Sequence, residues 1–185
     1  MKTLTPLVAF VVLSTLSGCA ETPAPDASGF DAELKTTLRA VATPPVLSGC
    51  GDVFVYGATS DDRRVIEVTI DDELAYTAAA SFEVLEASYT LPDPRVSIVA
   101  KWGEGLTRNH CDDHWTGHPT VVGEVEAIAG QVSILIEPTG VFEPWEHSGR
   151  ATIQLDHTIF ESPMTGQEYT IDLELPDVMV GWYPG

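Results

Sequence analysis

From residue 53 onward the chain alternates short apolar runs with turn residues. Val53-Phe54-Val55-Tyr56 stops at Gly57. Between 64 and 70 the side chains alternate strictly. Val65, Glu67 and Thr69 fall on one side of a strand, and Ile66, Val68 and Ile70 on the other. Residues 82–91 and 96–102 predict two more strands, joined by the turn Leu91-Pro92-Asp93-Pro94. Residues 121–128 and 132–136 flank Ala129-Gly130-Gln131, which predicts a hairpin around a tight glycine turn. Residues 151–155, 169–175 and 178–182 complete the strands, with breaks at 163–166 and at Pro176-Asp177.

Two stretches have helical spacing instead. Phe30, Leu34, Leu38 and Val41 share one face of a short amphipathic helix, which Thr36 and Thr37 weaken and Thr43-Pro44-Pro45 terminates. Asp71-Asp72-Glu73 resembles a helix cap, and Leu74-Ala75-Tyr76 with Ala78-Ala79-Ala80 predicts a short helix near 72–80. About eight or nine short strands with so little helix between them predict an all-β fold. The expected form is an antiparallel β-sandwich of the Ig-like or Greek-key type over 46–185, with a β-barrel as the alternative. A parallel sheet is unsupported, because no long helix is available for a crossover.

The first residues are of another kind. Lys2 precedes an apolar run over 4–16, too short and wrongly flanked for a membrane-spanning helix. Leu16-Ser17-Gly18-Cys19 then resembles the bacterial lipobox. That resemblance implies a lipoprotein signal peptide over 1–18 and acyl chains on Cys19, which anchor the protein to a membrane. Ala20 in place of Asp implies outer-membrane delivery, with the periplasmic and surface faces both open. Residues 19–45 then read as a tether with the possible short helix. Of the three cysteines this leaves Cys50 and Cys111, and an even pair in an exported chain reads as a disulfide. The loop closed would span about 60 residues, worth roughly 4 kcal/mol by chain entropy.

Gly49-Cys50-Gly51-Asp52-Val53, Cys111-Asp112 and the closing Val180-Gly181-Trp182-Tyr183-Pro184-Gly185 resemble a group of exported bacterial lipoproteins with no assigned activity. The resemblance spans most of the domain through short motifs. It implies a β-rich architecture and nothing about chemistry.

Charge narrows the partners. Acidic residues outnumber basic ones 28 to 9, a formal charge of -19. Nucleic acid is excluded as a partner, and adsorption to anionic lipid needs help from the acyl chains. A composition 44% apolar still forms a core. The densest polar cluster is His110, Cys111, Asp112, Asp113 and His114, with His118 close behind. His110, Asp112, His114 and His118 are candidate ligands for a divalent cation such as zinc. The alternative is a solvated loop pinned by Cys111. Asp61-Asp62, Asp71-Asp72-Glu73 and Asp112-Asp113 offer hard oxygen ligands for calcium, without any recognised calcium-loop spacing. Trp115 and Trp145 fall in loops and are candidates for stacking on a glycan, whereas Trp102 and Trp182 end strands and are expected in the core. No nucleophile elbow or glycine-rich phosphate loop occurs. The expected function is a lipid-anchored envelope module that binds an unidentified protein or envelope partner without catalysis. The alternatives are a metal- or glycan-binding module using 110–118 and, third, a hydrolase.

Overall fold

The computed structural model describes residues 26–108, 110–111, 117–143 and 146–182; for 141–143 and 146–147 only backbone is described. Helix α1 (Ala27–Val41) opens this part of the chain. Asp26 caps it by accepting hydrogen bonds from the Ser28 amide and hydroxyl at 3.2 and 2.7 Å. Thr36 is accommodated by donating its hydroxyl to the Ala32 carbonyl at 2.7 Å. The predicted stripe is real: Leu34, Leu38 and Val41 are buried in the main core, and Phe30 packs edge-on against Trp102 at 4.9 Å. The folded unit therefore includes this helix, which the spacing of Pro44 and Pro45 had placed with the tether.

Eight antiparallel strands and one further helix follow: β1 (Val46–Cys50), β2 (Phe54–Ala58), β3 (Arg64–Ile70), α2 (Leu74–Ser81), β4 (Leu85–Leu91), β5 (Val96–Glu104), β6 (Thr120–Glu143), β7 (Glu146–Glu161) and β8 (Glu168–Trp182). The strand order is β1-β2-β3-β5-β6-β7-β8, with β4 also paired to β6. The sheet curls on itself as a half-barrel. Inward residues of β2, β3 and β5 (Val55, Ile66, Val68, Ile98, Ala100) meet those of β6, β7 and β8 (Ile134, Ile153, Leu155, Leu173, Leu175) in one core. Both helices add their apolar faces to it, through Leu34, Leu38 and Val41 of α1 and Leu74, Ala75 and Ala78 of α2. The edge strands approach each other at a single bridge, where the Gly181 amide donates to the Gly51 carbonyl at 2.6 Å.

The last three strands are long, not short. The expected hairpin at Ala129-Gly130-Gln131 is instead a bend inside β6. Before the bend β6 pairs with β5, and after it with β4, while β7 follows its other edge throughout most of its length. The pairing with β7 slips between Ala127 and Ala129 and again between Ala129 and Gln131. A bulge is how one strand turns the corner between two packed surfaces. Gly130 suits it, with φ +133°, and a Cβ there would lie 2.7 Å from the Thr158 Cα. Pro176-Asp177 likewise does not end a strand. Asp177 sits at φ +55° within β8, opposite a register slip in β7.

Candidate functional site

The chain leading into the histidine-rich segment, residues 105–108, covers the outer face of the sheet. Val55 and Ile66 point into the main core, so Tyr56, Ala58 and Val65 point away from it. The chain after β5 folds back over this face and seats Leu106 on those three side chains. It is held there by the Thr107 amide, which donates to the Asp62 carboxylate at 2.7 Å, and by the Leu106 amide, which donates to the Asp62 carbonyl. At its far end Cys111 meets Cys50 at disulfide distance, with Cα atoms 5.5 Å apart.

His110 closes the flap over a carboxylate. Its Nε2 lies 2.9 Å from one oxygen of Glu67, and Lys101 Nζ donates to the other at 2.7 Å. Glu67 is only 8% exposed. Burial alone would raise its pKa, but the hydrogen bonds from His110 and Lys101 outweigh burial and hold it below the usual carboxylate range. The His110 ring sits edge-on to Phe54 at 5.2 Å and to Tyr56 at 5.0 Å. Both oxygens of Glu67 are thus engaged, and the arrangement is a closed clamp on that carboxylate.

The structure describes two of the four candidate metal ligands, His110 and His118. His110 is turned onto Glu67, and Cys111 is taken by Cys50. His118 is exposed, and among the described residues no group of three or more His, Cys, Asp or Glu side chains is arranged to hold a metal ion. Asp112 and His114 lie outside the described residues, as do Trp115, Trp145 and Cys19. The acidic pairs suggested for calcium have local work. Asp61 accepts from the Thr59 hydroxyl and the Arg63 amide, and Asp62 holds Thr107. Asp72 does not cap α2; it accepts from the Tyr89 hydroxyl at 2.7 Å and from Arg95 at 3.0 Å. Burial and that bond push the Tyr89 hydroxyl pKa upward.

A second locus lies across Cys50 from the clamp. Asp52, Glu73, Tyr76 and Trp182 line an open cleft of about 480 Å³. Asp52 is the true cap of α2, accepting from the Tyr76 amide at 3.0 Å through Oδ1. Its Oδ2 is buried and has no hydrogen-bond partner. Glu73 occupies the N-cap position with φ +51° and makes no side-chain cap bond. The aromatic rings are exposed, Tyr76 by 43% and Trp182 by 60%.

Trp102 is buried as expected, but Trp182 is not. It shares parity with Val178 and Val180, which do point inward, so simple alternation sends it to the core. Gly181, at φ +115° and bridged to Gly51, interrupts the pleat and turns the ring out. A glycine immediately before a terminal aromatic residue was the available signal.

Compared with known proteins, the chain matches no family model, no curated protein and no solved structure.

Proposed function

We propose that the protein is a lipid-anchored module of the cell envelope that works by binding a partner and not by catalysing a reaction. The observation that carries this reading is Leu16-Ser17-Gly18-Cys19, placed directly after a basic residue and an apolar run. Acyl chains on Cys19 would hold the protein to the outer membrane. Asp26, the cap of α1, follows seven residues after Cys19, so the connection reaches at most roughly 25 Å and keeps the domain near the lipid surface. The Cys50–Cys111 pair supports export, because such bonds persist outside the reducing cytosol. The charge of -19 supports a covalent anchor, since the domain itself would be repelled by anionic lipid. Binding is favoured over catalysis because the buried acid Glu67 is already paired with Lys101 and hydrogen-bonded to His110.

Metabolic labelling with a palmitate analogue tests the anchor. The wild-type chain should take up label and sediment with membranes, and Cys19→Ser should do neither. Label retained by Cys19→Ser would overturn the reading.

A further inference from the structure

We infer that the cleft between α2 and the end of β8 binds an organic ammonium group, such as the methylated ammonium of a choline-like compound. This inference is independent of the lipid anchor.

The lining is selective by its chemistry. Among the described residues it contains two carboxylates, Asp52 and Glu73, two exposed aromatic rings, Tyr76 and Trp182, and no cationic side chain. Aromatic faces carry negative charge density and attract alkylated cations within about 6 Å of the ring centre. Carboxylates beside such faces add the opposing charge. The Asp52 carboxylate bonds the Tyr76 amide through one oxygen and leaves the other buried without a donor. That oxygen is itself out of contact with the open cleft, so a cation there lowers its cost through charge at short range and not through a direct bond.

Other ligand classes fit less well. An anion would meet two carboxylates. A small hard cation requires more oxygen ligands than the two side chains provide. A neutral sugar gains nothing from the charge of the two carboxylates, whereas an ammonium group does. The volume of about 480 Å³ suits a headgroup-sized ligand. The overall charge of -19 raises the local concentration of cations at any such cleft.

The site is also held in place. Asp52 follows Gly51 and Trp182 follows Gly181, and these two glycines are bridged by a 2.6 Å hydrogen bond. Cys50, next to Gly51, is tied to Cys111. The acid and the ring are therefore set relative to each other by backbone, before any ligand arrives.

Calorimetric titration of the full chain in a neutral detergent tests the inference. Choline should bind saturably, and the uncharged isostere 3,3-dimethyl-1-butanol should bind at least about ten-fold more weakly. Trp182→Ala and Tyr76→Ala should each weaken choline several-fold. Both side chains are exposed, so these variants should keep the circular dichroism of the wild type. Glu73→Gln preserves the shape of the cleft and should flatten the salt dependence of choline binding. Dihexanoyl phosphatidylcholine, used as monomer, separates the sources. Binding of it as well as choline assigns a lipid headgroup, and binding of choline alone assigns a free compound. Absence of saturable choline binding, equal affinity for the isostere, or binding of glucose in its place would overturn the assignment.

Discussion

Replacing Glu67 by Gln tests whether the His110 flap is an electrostatic clamp. The substitution keeps the volume and removes the charge. In the native protein Glu67 receives Lys101 at 2.7 Å and His110 at 2.9 Å. Removing one partner of a buried ion pair is destabilising by about 3–5 kcal/mol, because the other charge is left buried. The Lys101 and His110 side chains are 22% and 19% exposed, so water can reach them in part. The lower end, about 3 kcal/mol near pH 7, is therefore expected. With a urea m-value of about 2 kcal/mol/M, the unfolding midpoint should fall by roughly 1.5 M. The sign of the pH dependence is fixed by the direction of the shift. The folded-state pKa of Glu67 lies below its ordinary value of 4.5. Its stabilisation is complete above 4.5 and disappears as pH falls through the lowered folded value. The contribution of ionised Glu67 to the difference between wild type and Glu67→Gln should thus be complete above 4.5 and shrink on acidification past it. Other carboxylates titrate in both proteins and cancel in the difference. A gap below about 0.5 kcal/mol near pH 7 would refute the clamp, since that is what an exposed pair contributes. A gap unchanged by acidification would refute the assignment of the effect to ionised Glu67.

Two further substitutions probe the frame around the clamp. Cys50→Ser with Cys111→Ser opens a loop with a sequence separation of 61. It should lower stability by about 4 kcal/mol in urea unfolding and remove hydrogen-exchange protection from the Leu106 and Thr107 amides. Gly130→Val places a Cβ 2.7 Å from the Thr158 Cα at a φ of +133°. Thermal unfolding should show a loss of at least about 2 kcal/mol, whereas a turn at this position would tolerate more.

Much of the inner face of the sheet was legible before the coordinates. Strict alternation over 64–70 separated Ile66, Val68 and Ile70 from Glu67, and the fold uses that division. The spacing of Leu34, Leu38 and Val41 located α1, and the short apolar run after Glu73 located α2. The cysteine count located the staple. Strand length was not legible, for a physical reason. Gly130, Asp177 and His157 all adopt positive φ, which serves equally to end a strand in a turn or to bend a continuing one at a bulge. Sequence distinguishes these only when the strands on either side have known partners. β1 was missed because Val46-Leu47-Ser48-Gly49-Cys50 has no alternation and borrows its burial from β2 and β8. The acidic run at 71–73 looked like a cap, yet α2 is capped by Asp52, a residue distant in sequence.

The sites show the same limit more sharply. His110, Asp112, His114 and His118 are close in sequence, and that closeness suggested ligands converging on one ion. Cys111 instead adopts φ +55°, and the two side chains serve different partners: His110 reaches Glu67, while Cys111 reaches back to Cys50. That reach is what connects the two loci. On one side of Cys50 the bond to Cys111 holds the flap over Glu67. On the other side Gly51 holds Gly181, and the residues following those glycines, Asp52 and Trp182, line the open cleft. A chain of covalent and backbone links thus runs from the buried clamp to the exposed aromatic ring without passing through any flexible side chain. Ordering the cleft by such links avoids the entropic penalty of assembling it around each ligand.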